Sequence, residues 1–187
     1  MGKNIRFRSK YKQSMLRGGL HTLAVSALFA ALSILFGKYL AIPVGPTLRF
    51  SFENLPVIMG GILFGPIIGL LIGAVADLVG CILVGYAINP IVTVGAAAIG
   101  LCSGVLYRVC QRFPLLVRVL LTVIPSHFIG SVLIKTWGLA AFFDMPFYLL
   151  LLWRLLNYVL VGGVECMLIT YLMKHKAVGR QLERLSR

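Results

Sequence analysis

Apolar residues run through this chain in long blocks, and polar residues collect between the blocks rather than alternating within them. A helix that crosses a bilayer takes about 20 mostly apolar residues, with a range of roughly 17–25. Read against that length, the pattern predicts spans over His21–Tyr39, Phe52–Phe64, Pro66–Val84, Ile91–Tyr107, Leu115–Trp137 and Phe147–Met173. The second is short or tilted, and the fifth is interrupted by Pro125. The intervening Leu40–Leu48 carries Pro43, Gly45 and Pro46, which predicts an ordered loop rather than helix. Turns are expected at Gly65-Pro66 and over Gly85–Pro90, and an aromatic loop suited to the membrane interface over Gly138–Pro146.

Composition agrees with this pattern. Only 12% of the 187 residues are charged, against roughly 25% in a soluble domain. The expected fold is an all-α integral membrane protein, with six transmembrane helices in a compact bundle over residues 19–173. A basic segment, 1–18, precedes it and a basic tail, 174–187, follows. The first apolar run continues past any small-residue cleavage site, so it reads as an uncleaved span rather than a signal peptide.

The net charge of +13 raises nucleic acid as a partner, but its placement argues against one. Six Lys/Arg precede the first span and five follow the last, the arrangement that sets topology and touches anionic lipid headgroups. Arg108 and Arg112, around the loop between spans four and five, and Arg118, at the start of span five, lie on the same side. The positive-inside rule therefore puts both termini in the cytoplasm. Cys81, Cys102, Cys110 and Cys166 are scattered through apolar segments and read as small buried residues, with no metal or disulfide spacing.

Two features inside the spans are informative. Gly65, Gly69 and Gly73, like Ala27 and Ala31, are small residues four apart, a spacing that lets membrane helices approach closely. Arg49, Lys135 and Arg154 fall near the outer ends of spans, against the topological bias, so another role is expected for them. Converging cations suit an anionic solute, arginine gripping a carboxylate with two prongs. Phe52, Tyr86, Trp137 and Trp153 lie at a similar depth, where they either stack on a flat ring or form an interfacial belt. Asp77 is either a satisfied residue in a tight hairpin or part of the solute site. His127 reads as a hydrogen-bonded core residue and Glu165 as paired locally. There is no phosphate-binding loop, zinc-protease motif or nucleophile elbow, so neither ATP hydrolysis by that route nor enzymatic chemistry is expected, and no cofactor.

From Thr22 to Met173 the chain resembles the substrate-binding (S) components of energy-coupling factor vitamin transporters, most closely the folate-specific FolT family. The resemblance rests on LRFSFENLPVIMGGILFGPIIGLLIGAVADLVG, on Thr136-Trp137 and on Arg154. It implies vitamin capture at the outer face, with a membrane-embedded T subunit and two cytoplasmic ATPases as partners. It also implies that Ala27 and Ala31 form the docking surface. The expected binding residues are Arg49, Phe52, Tyr86, Asn89 and Thr93, together with Lys135, Trp137, Arg154 and Asn157. Lys135 departs from the polar Asn that the family carries. The alternatives are an S component for another vitamin or small anionic or aromatic solute, and a scaffold that only organises partner helices.

Overall fold

The computed structural model describes residues 20–44, 48–143 and 146–175. The basic segments 1–18 and 176–187 lie outside the described residues. Helix α1 spans Leu20–Ile34 and widens into a π-helical turn, Leu35–Tyr39. A hairpin of strands β1, Ile42–Val44, and β2, Leu48–Phe50, follows. Then come α2, Asn54–Phe64; α3, Pro66–Val84; and α4, Pro90–Val109, which tightens into a 3-10 turn at Cys110–Arg112. Helix α5, Leu115–His127, runs through a π-helical stretch, Phe128–Lys135, into α6, Thr136–Phe143. Helix α7, Phe147–Lys174, completes the bundle. Five of these rods are long and apolar enough to cross a membrane; α2 is the shorter apolar helix.

Three local expectations differ from the structure. The loop read over Leu40–Leu48 contains strand, paired antiparallel as Ile42↔Phe50, Pro43↔Arg49 and Val44↔Leu48. Pro43 is tolerated because a two-stranded ribbon consists of edges, where a missing N–H is harmless. The short helix begins at Asn54, not Phe52. The aromatic loop read from Gly138 is helix as far as Phe143. Gly138 does not break that helix; it lets α6 close on Ile91 of α4, where an added Cβ would sit 2.7 Å from the Ile91 side chain.

Glycine sets the centre of the bundle. Helices α2, α3 and α4 meet through Gly61, Gly69, Gly73 and Gly100, and a Cβ at Gly69 or Gly100 would run into the backbone of the other. Gly65 ends α2 at φ 102°, a conformation that side chains disfavour, and Pro66 starts α3 in the first helical position. Gly100→Ala must push α3 and α4 apart. Thermal unfolding in detergent is expected to show a loss of about 1–3 kcal/mol, the range for overpacking a tight core.

Helix α2 has 11 residues and so reaches only about 16 Å along its axis. Its polar start lies beneath the end of α1: the Ser33 hydroxyl donates to the Glu53 carbonyl at 2.7 Å. Among the described residues, the segment that leads into α2 is strand and not helix. Irregular backbone survives at such depth where it lines a polar cavity.

Candidate ligand-binding site

The space above α2 is a cavity of about 490 Å³. It lies at the end of the bundle where α1, α3 and the α5–α6 rod finish and α2, α4 and α7 begin. Gly37 and Lys38 close one side, Ser51, Glu53 and Asn54 come from the start of α2, and Asp77 and Cys81 stand on α3. Tyr86 and Asn89 belong to the α3–α4 turn. Helix α7 supplies Arg154, Asn157, Tyr158 and Val161, spaced so that they share one face. His127 and Ser131 come from the α5 rod.

The widened part of that rod is held by α7. Arg154 Nη1 donates to the Ser131 carbonyl at 3.0 Å, inside the π-helical stretch. One turn on, the Tyr158 hydroxyl donates to the Ile124 carbonyl at 2.9 Å. Two turns further, Glu165 meets His127 in a buried pair. Glu165 thus pairs across the bundle and not locally, while His127 is hydrogen-bonded as expected. Pro125, which cannot donate within α5, stands just before the widening.

At the cavity floor Lys135 Nζ donates to Glu53 Oε1 at 2.8 Å. Lys135 is only 4% exposed, and Lys38 and Arg154 also act on the Glu53 carboxylate. Gly37 makes room for this acid: a Cβ there would lie 2.6 Å from Glu53 Oε2. On α3, Asp77 Oδ2 accepts the Thr93 hydroxyl at 2.7 Å. The charged groups at the site therefore have both signs, with cations on three elements.

The expected binding residues separate into groups. Tyr86, Asn89, Arg154 and Asn157 line the cavity. The Asn89 amide is also structural. Its Oδ1 caps α4 by accepting from the Ile91 and Val92 amides, and its Nδ2 donates to the Gly138 carbonyl at 2.8 Å. Thr93 and Lys135 reach the cavity through the acids they hold. Trp137, 60% exposed, and Phe52 do not line it and occupy the outer surface of the bundle. Arg49 lies on β2, and its side chain is outside the described residues.

Sequence reading did not select Lys38, Ser131, Asn54 or Tyr158. Of these, Tyr158 carried a signal, since it extends the helical stripe that starts at Arg154. Ala27 and Ala31 lie on the exposed face of α1 with Leu23, Leu28 and Leu35, whereas Ala30, Ser33 and Gly37 face inward.

A family model described as "ECF transporter, substrate-specific component" matches residues 21–174. Among solved structures the chain is similar to "Crystal structure of FolT bound with folic acid", at 23% identity and a TM-score of 0.68, over 83% of this chain and 93% of that one. That likeness shows a shared fold. No curated protein matches the chain. The chain belongs to the substrate-specific component family of ECF transporters, and is a multi-pass membrane subunit that binds the transported solute rather than an enzyme.

Proposed function

We propose that this chain captures folate from outside the cell and presents it to an ATP-driven importer in a prokaryotic plasma membrane. The carrying observation is the mixed cavity above α2, with Arg154 and Lys38 for an anionic tail, Tyr86 and Tyr158 for a flat ring, and amides from Asn54 and Asn157. Its volume falls within the roughly 300–1,000 Å³ of small-molecule sites. The similar fold of a protein solved with folic acid supports the choice of ligand. A scaffold that only arranges partner helices has no use for a polar hollow in its centre.

In this reading the short α2 completes six membrane crossings. Both termini lie in the cytoplasm, following the Lys/Arg bias of the chain, so the cavity opens outward. A T subunit docks through Ala27 and Ala31, and two partner ATPases supply the energy, since the chain carries no phosphate-binding loop.

The test is calorimetric titration of the detergent-solubilised protein with folic acid. Saturable binding is expected, and none would overturn the assignment. Arg154→Ala is expected to weaken binding by about 2 kcal/mol, near 30-fold, as for loss of a charged hydrogen bond. Arg49→Ala is expected to act in the same direction. Unchanged titrations for both variants would remove these residues from the site.

A further inference from the structure

Asp77 is the acid of the cavity wall that this chain leaves incompletely bonded. Its Oδ2 accepts from the Thr93 hydroxyl at 2.7 Å; the same hydroxyl lies 3.3 Å from the Asn89 carbonyl, a weaker competing acceptor. Among the described residues, Oδ1 has no hydrogen bond, and no lysine, arginine or histidine nitrogen lies within ion-pair reach of the carboxylate. Lys38 is directed instead at the Sγ of Cys81, one helical turn from Asp77, 3.7 Å off, and at the face of Tyr86. Glu53, the other acid of the cavity, has its own lysine.

A carboxylate within a membrane bundle is costly unless donors surround it. At Asp77 the chain supplies one donor, and the open side faces the cavity. A carboxylate offers about four acceptor positions over two oxygens and matches a pair of parallel N–H groups well. Of the cations assigned to an anionic tail, Arg154 stands on α7, and Lys38 is turned toward Cys81 and Tyr86 rather than to Asp77.

We propose that Asp77, oriented by Thr93, is a specificity-determining acceptor that reads an N–H donor edge of the ligand. On the folate reading, on which this rests, that edge is the aminopyrimidinone side of the pterin, so the pterin lies against α3 and the glutamate tail against Arg154. A site built around such an acceptor discriminates strongly against a ligand lacking the donor, because the acceptor is then left unmatched.

The full chain in detergent is titrated with folic acid and with an analogue in which a methyl group replaces the exocyclic amino group of the pterin. The wild type is expected to prefer folic acid by about tenfold or more. Asp77→Asn, which keeps size and the Thr93 contact, is expected to weaken folic acid binding about tenfold and to abolish most of the preference. Thr93→Val, which leaves the acid in place but unanchored, is expected to reduce the preference by a smaller factor and serves if Asp77→Asn fails to fold. A preference retained in both variants would overturn the proposal. So would an equal loss of affinity for the two ligands, the result if Asp77 only ties α3 to α4. A wild type that binds neither compound would overturn the folate reading and this assignment with it; one that binds both equally would overturn this assignment alone.

Discussion

Cells carrying Ala27→Trp or Ala31→Trp are expected to lose folate uptake completely, while the purified variants bind folic acid as the wild type does. Both alanines lie on the exposed face of α1, so an indole there meets lipid or a partner and not the bundle. Membrane helices associate through close backbone contact over small residues, and a tryptophan holds a partner helix away. Uptake of labelled folate, co-purification with the T subunit and calorimetry on the isolated chain separate the two functions. Joint loss of binding and uptake would show that these positions support the fold, and would sink the docking assignment.

Lys135→Ala is expected to destabilise the protein by about 1–3 kcal/mol, because half-buried Glu53 loses its hydrogen-bonded charge partner. The double variant Glu53→Gln/Lys135→Met removes both charges together and is expected to regain most of that stability, as replaced buried pairs often do. Unfolding curves in detergent measure both. If Lys135→Ala left stability intact and lowered only folate affinity, Lys135 would be a direct ligand contact and not the residue that fixes Glu53.

The long helices were legible because a bilayer imposes one length on every crossing, and apolar runs such as Pro66–Val84 match it. The hairpin was not, since three-residue strands such as Ile42–Val44 are too short to show alternation. Gly138 misled because glycine in a membrane helix marks close packing as often as a break. At the site, the Arg154–Tyr158–Val161–Glu165 stripe follows helical spacing and could be read directly. The Lys135–Glu53 pair could not, with 82 residues between its members and no local pattern joining them. For the same reason Asp77 and Thr93 did not announce each other across a turn between two helices.

The π-helical stretch Phe128–Lys135 has a bearing on how such proteins diversify. A wide turn holds more residues than the α-turn it replaces, so it changes the angular phase of everything after it. One residue shifts that phase by about 100°. Deleting one residue within this stretch would return the rod to a regular α-helix and re-aim the side chains inside the stretch, Ser131 and Lys135 among them, with the apolar length of the span almost unchanged. Insertions and deletions inside a membrane helix, usually regarded as ruinous, thus become a route by which one bundle acquires a new ligand without a new fold.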